Sequence, residues 1–132
     1  MTSILIVSFG YLHCYQDRPP AADLTVDLRA LLHNPQADPA FRHQTGLDPA
    51  VIATVMATPG AAGLIRHTTA LAAELAATAA GQNRPAVSVA FGCAGGRHRS
   101  VVAANQTAAA LLGGRHTVTV AHRDIYAPVV GG

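Results

Sequence analysis

The chain has no lysine, a single glutamate (Glu74) and only two cysteines, Cys14 and Cys93. All nine basic residues are arginine, and the formal charge is +2. The accompanying abundance of alanine marks a GC-rich genome rather than a functional choice of arginine. So small a charge neither demands nor forbids a nucleic-acid partner, and no run of like charges forms an electrostatic tail. Two cysteines are too few for a disulfide framework. No apolar run approaches the ~20 residues that span a bilayer. The opening Met1-Thr2-Ser3-Ile4-Leu5-Ile6-Val7 has no basic n-region, and its apolar stretch is too short for a signal peptide. These absences predict a cytoplasmic protein without a membrane partner. The seven histidines show no H-x-x-x-H or other tight ligand spacing, so neither a metal nor a cofactor is expected.

What is present suffices for one domain over residues 1–132. Half of the residues are apolar, enough for a core without staples. Ile4 to Phe9 reads as a buried strand closed by Gly10, and Leu24 to Leu28 as a second strand. Turn signals at Asn34-Pro35, Asp38-Pro39 and Thr45-Gly46 make Leu32 to Gly46 an ordered loop. Asp48-Pro49 opens a helix as N-cap and first helical residue, and a longer helix runs from Ala61 to Ala80. Leu64, Leu71 and Leu75 are the expected apolar face of that longer helix. Ala86 to Phe91 is a third strand, Arg97 to about Leu111 a helix, and Thr117 to Val120 the last strand. Asp124 to Gly132 reads as a loose tail. Strands alternating with helices predict an α/β fold: a mostly parallel sheet of about four strands, with helices on its faces. Ligands of such sheets bind beyond the carboxyl ends of the strands. Ser8 to His13, Asp27 to Arg29 and Gly92 to Ser100 all fall there.

The third of these segments carries the chemistry. Gly92-Cys93-Ala94-Gly95-Gly96-Arg97-His98-Arg99-Ser100 is a strand end, a tight turn and a helix start. Glycines allow backbone angles that aim successive N–H groups inward, and a helix N-terminus adds unpaired donors and partial positive charge. The product is an anion cradle. Arg99 can fork onto phosphate oxygens, Ser100 can donate a hydroxyl, and His98 can donate a charge-responsive hydrogen bond. The turn lacks the Lys-Ser/Thr ending of a Walker loop and the G-x-G-x-x-G spacing of a dinucleotide site.

The segment also satisfies C-x-x-G-x-x-R-S from Cys93 to Ser100, the pattern of cysteine-dependent phosphatases. There a thiolate attacks phosphorus while the arginine holds the equatorial oxygens. Gly92 stands where a histidine usually precedes the cysteine, and no acidic loop offers a general acid. A small, buried residue packing the turn is the competing reading of Cys93. Asp27 and Arg29 either join the site or pair with each other. His33 and His43 read as loop histidines, and His67 and His116 as surface positions.

The longer match Val89-Ala90-Phe91-Gly92-Cys93-Ala94-Gly95-Gly96-Arg97-His98-Arg99-Ser100-Val101 closely resembles the G-C-T-G-G-x-H-R-S-V signature in the C-terminal domain of the RNase adapter protein RapZ family. Ser8-Phe9-Gly10-Tyr11, Val26-Asp27-Leu28-Arg29, Thr45-Gly46-Leu47-Asp48 and His122-Arg123 resemble further motifs of that domain, in the same order. The resemblance implies a sensor that binds the amino-sugar phosphate glucosamine-6-phosphate and a small regulatory RNA. It implies a stand-alone copy without the family's preceding nucleotide-hydrolysing domain. The implied site comprises Asp27, Arg29, Ala94, Gly95, Gly96, His98, Arg99 and Ser100, with Ser8, Phe9 and Gly10 beside them. Ala94 replaces the family's threonine, removing a hydroxyl but not an amide. Gln36 stands where the family has the histidine of N-P-H. Asp124-Ile125-Tyr126-Ala127-Pro128 replaces a lysine-rich ending, which removes clustered charge that RNA binding uses.

The expectation is therefore a non-catalytic domain that binds a small phosphorylated metabolite. A Cys93- and Arg99-dependent phosphatase and an RNA-binding adapter are the alternatives, and a homodimer is compatible with each.

Overall fold

The computed structural model describes residues 2–129. Its elements are β1 (Ser3–Gly10), β2 (Leu24–Asp27), α1 (Pro49–Met56), α2 (Ala61–Gly81), β3 (Ala86–Cys93), α3 (Arg99–Leu111) and β4 (Val118–His122), with short 3-10 turns in the loops after β1 and β2. The four strands form one parallel sheet in the order β2-β3-β1-β4. No single helix among the described residues is long and apolar enough to cross a membrane.

The period-2 alternation of each strand divides the core. Ile4 and Ile6 of β1, and Val87, Val89, Phe91 and Cys93 of β3, point to one face. There they pack with Val51 and Val55 of α1, Ala72, Ala76 and Ala79 of α2, and Val102 to Ala104 of α3. The chain moves in the same direction across the sheet from β2 to β3 and from β3 to β4. Right-handed crossovers then place all the intervening helices on that one face. The connection from β1 to β2 runs the opposite way, and a small cluster of Phe9, Tyr11 and Ala90, joined by Cys14 and Ala22, forms on the other face. Leu5 on that face is 43% exposed.

Three local expectations are corrected. The buried stripe of α2 is Ala61, Ile65, Thr68, Ala72, Ala76 and Ala79; of the expected leucine series, Leu64 and Leu75 pack partly buried against the core, and Leu71 is 46% exposed. Small side chains let the helix lie close to its neighbours, so alanine makes the contact and leucine flanks it. Asp48 sits at the N-cap position of α1 without capping it; its Oδ2 instead accepts the Thr45 N–H at 2.7 Å, closing the loop before the helix. Finally, the segment after β4 is packed rather than loose. Asp124 and Ile125 are buried, and Ala127 is bonded to the glycine-rich turn. The main-chain partner of the Asp124 carboxylate is Gly10 on β1, distant in sequence, so no local pattern announced it. Residues 130–132 of the expected tail lie outside the described residues.

The strand order also places the site. β1 and β3 are neighbours whose following connections leave in opposite directions, one toward β2 and the other toward β4. Such a reversal opens a crevice at the carboxyl ends of the two strands. Here Gly10 is paired with Cys93 at its floor.

Candidate functional site

The glycine-rich turn leaves β3 at Cys93 and enters α3 at Arg99. Gly96 has φ +75°, in the region that side chains disfavour. A β-carbon there would lie 2.5 Å from the Gly10 amide nitrogen and 2.8 Å from Asp124 Cβ. Gly10 is equally hemmed in, because a β-carbon on it would collide with the Gly95 carbonyl carbon. The β1 end and the turn are thus in main-chain contact, reinforced by the Leu12 N–H donating to Ala94 O at 3.0 Å. The main-chain amides from Gly95 to Arg99 donate to no group among the described residues. Five consecutive donors at a helix start are therefore left for an anion or water.

Arg99 lies in the first turn of α3 and is only 4% exposed. Its Nη1 donates to the Arg29 carbonyl at 2.8 Å and the Leu28 carbonyl at 3.4 Å. Its Nε is buried with no partner, and no carboxylate among the described residues lies within ion-pair distance. A guanidinium removed from water onto carbonyl dipoles, with only the more distant charge of Asp27 to offset it, is costly, on the order of several kcal/mol before compensation.

The remaining expected site residues divide into two groups. Asp27 and Arg29 are paired with each other: Arg29 Nη2 donates to Asp27 Oδ2 at 2.7 Å and its Nε to Oδ1 at 3.0 Å, with both side chains about half exposed. The Arg29 guanidinium also lies 3.7 Å from the Tyr11 ring centroid. The hydrogen bonds from Arg29 hold the Asp27 carboxyl below the usual carboxylate range. This pair stands at the rim beside the Leu28 and Arg29 carbonyls that hold Arg99. A β-carbon on Gly95 would lie 3.7 Å from Gln36 Oε1, so the loop after β2 forms a wall close over the turn.

His98, Ser100 and Ser8 point elsewhere. His98 is buried, and its Nε2 bonds to the Phe41 carbonyl at 2.9 Å, which ties the turn to that wall. Burial pushes its pKa down, against smaller upward effects from the Phe41 and Gln44 main chain. Ser100 Oγ accepts from Cys93 Sγ at 3.2 Å, and the Ser100 N–H donates back to that sulfur at 3.4 Å. Cys93 is 2% exposed and packs in the main core. Ser8 Oγ lies 2.7 Å from His122 Nδ1, whose Nε2 reaches Asn105 Oδ1 at 3.0 Å. Phe9 buries its ring in the second cluster and touches the turn through its main chain.

Sequence reasoning did not place Asp124 and Arg123 at the site. The Gly10 N–H donates to Asp124 Oδ2 at 2.8 Å, and Arg123 forks onto the same carboxylate, with Nη2 at 2.8 Å and Nε at 3.1 Å. His122-Arg123 was the only signal there, and it stops one residue short.

Comparison with known proteins agrees with this architecture. The family model described as the RapZ C-terminal domain matches residues 2–126. A protein of Rhodospirillum rubrum, named as a nucleotide-binding protein, is 42% identical over 93% of this chain and 37% of its own length. Similarly named proteins of Rhodospirillum centenum and Limosilactobacillus fermentum are 39% and 38% identical, over 92% and 91% of this chain and 36% and 40% of their own lengths. The chain thus spans well under half the length of these relatives. With a match over nearly all of its residues, and the glycine-rich turn set at the crevice of a parallel sheet, the chain belongs to the RapZ C-terminal domain family.

Proposed function

We propose that this domain is a non-catalytic sensor that binds a phosphorylated sugar, of which the amino-sugar phosphate glucosamine-6-phosphate is the first candidate. The observation that carries this reading is the run of unpartnered amides from Gly95 to Arg99 beside the buried Arg99 guanidinium. A phosphate dianion would accept from the amides and neutralise Arg99. The Asp27–Arg29 pair at the rim would offer a carboxylate to a sugar hydroxyl or amine. The nucleotide-binding name of the relatives refers to proteins more than twice as long, and the turn here lacks the lysine that a Walker loop uses for a nucleoside triphosphate.

Isothermal titration tests the reading. Glucosamine-6-phosphate is expected to bind the wild-type domain, unphosphorylated glucosamine to bind at least tenfold more weakly, and Arg99→Gln to lose the phosphate-dependent part. A folded wild-type protein that gives no heat with the phosphorylated sugar overturns it. The alternative phosphatase reading makes the opposite demand on Cys93: turnover of an aryl phosphate that disappears in Cys93→Ser. A buried sulfur engaged with Ser100 favours retained binding and no turnover.

A further inference from the structure

The Arg97 side chain has no part in the reading above, yet it joins more segments than any other side chain of the turn. Its Nη2 donates to the Ala127 carbonyl at 2.8 Å and its Nη1 to the His43 carbonyl at 3.4 Å, while its own carbonyl accepts the Gly46 N–H at 2.8 Å. From Ala127 the contacts lead back to the turn. The Ala127 N–H donates to the Asp124 carbonyl at 3.0 Å, Asp124 Oδ2 accepts the Gly10 N–H, and Gly10 lies against Gly95 and Gly96. Arg123 braces this ring: its N–H donates to the Ser8 carbonyl at 3.0 Å, and its side chain reaches Asp124 and Cys14.

We infer that Arg97 is a positioning residue that clasps the loop at 43–46 and the segment 123–127 onto the glycine-rich turn, so that filling the turn orders both segments. The reason is geometric. The Arg97 amide belongs to the run of free donors, while its side chain belongs to the clasp. An anion that fixes the peptide planes at Gly96 and Arg97 also fixes where the guanidinium leaves the main chain. Linkage makes the effect reciprocal: a clasp that is tighter with ligand bound raises the affinity for that ligand. The exposed Tyr126 lies inside the clasped segment, so occupancy would be displayed on the surface there. The ligand half of this inference rests on the sugar-phosphate reading; the clasp itself does not.

Hydrogen exchange read by mass spectrometry on the whole chain tests both halves. In wild type, glucosamine-6-phosphate is expected to slow exchange in the turn, at 43–46 and at 123–127. Arg97→Gln is expected to bind severalfold more weakly, to keep protection of the turn and to lose that of 123–127, with Arg97→Lys restoring part of it. Undiminished ligand-dependent protection of 123–127 in Arg97→Gln overturns the inference. Without ligand, Arg97→Gln should speed exchange at 123–127 and around Gly10 while α2 keeps its wild-type rates. Unchanged rates at 123–127 overturn the clasp even if no sugar phosphate binds. Faster exchange there, in a protein that binds no sugar phosphate, sustains the clasp and rejects the ligand reading. Should Arg97→Gln also loosen α2, Arg97→Lys supplies the comparison: exchange at 123–127 between that of wild type and that of Arg97→Gln is expected, and exchange there no slower than in Arg97→Gln overturns the clasp.

Discussion

Asp124 Oδ2 accepts the main-chain amide of Gly10 at 2.8 Å, across 114 positions of sequence. This bond joins the segment after β4 to the end of β1 beside the Gly96 turn, and Arg123 saturates the same carboxylate. Removing a buried acceptor leaves its donor desolvated, a cost of about 1–3 kcal/mol. Asp124→Ala is therefore expected to lower stability by about that amount in urea unfolding. Asp124→Asn keeps an oxygen for Gly10 but gives up the charge and the Oδ1 acceptor toward Arg123 Nε, so its loss should be smaller to the extent that the Gly10 bond dominates. Equal losses in the two variants would show that the Gly10 bond contributes nothing.

Gly96 is expected to tolerate no side chain. Its φ of +75° and the 2.5 Å approach of the Gly10 nitrogen to a β-carbon act together. Gly96→Ala should cost roughly 1–3 kcal/mol from strain at this backbone conformation, with overlap added. Thermal unfolding measures the cost, and calorimetric titration should show weakened phosphate binding in whatever fraction folds. Gly81→Ala is the control: a β-carbon there meets nothing within 4 Å, and the residue lies at the end of α2.

These contacts show what could and could not be read in the sequence. β1 and β3 were legible because short apolar runs, each broken by a single serine and closed by glycine at Gly10 and Gly92, identify buried parallel strands. The cradle was legible because strand, glycines and helix start are consecutive in the chain. The alanine stripe of α2 was hidden because leucine at helical spacing dominates any hydrophobicity count, whereas close packing selects for small volume. The orientation of His98 was hidden too. Its partner is the Phe41 carbonyl, a main-chain group on a loop whose path no local pattern specifies. Asp27 and Arg29 were legible as a pair or as site residues, and the structure shows the pair at the rim of the crevice.

Acid should loosen the wall over the turn. Burial lowers the pKa of His98 below its ordinary 6.5, and burial lowers that of His122 as well. Below about pH 6.5 the unfolded chain then binds more protons than the folded one, so stability falls as pH drops toward the depressed folded values. The contribution is fully present above the unfolded pKa. Urea midpoints measured from pH 7.5 to pH 5 should decline in wild type and decline less in His98→Gln. A wild-type midpoint that is flat across this window contradicts the burial of neutral imidazoles.

Arg99 separates stability from function. The buried guanidinium donates hydrogen bonds only to carbonyls, its Nε is unpartnered, and the Asp27 carboxylate acts on it only from beyond ion-pair distance. Replacing buried charge by an apolar side chain of similar length is often neutral or stabilising. Arg99→Met is thus expected to match or exceed wild-type stability in urea unfolding, since the buried Leu28 carbonyl keeps the Leu31 N–H as a donor and the Arg29 carbonyl belongs to an exposed residue. The same variant should lose phosphate affinity by at least tenfold, because charge-assisted hydrogen bonds contribute about 1.5–3 kcal/mol. Stability and binding measured on one preparation distinguish the possibilities. A strongly destabilised Arg99→Met with intact phosphate binding would make Arg99 a structural strut between α3 and the end of β2. Unimpaired folding with lost binding makes it the cation that the site holds in reserve for its ligand.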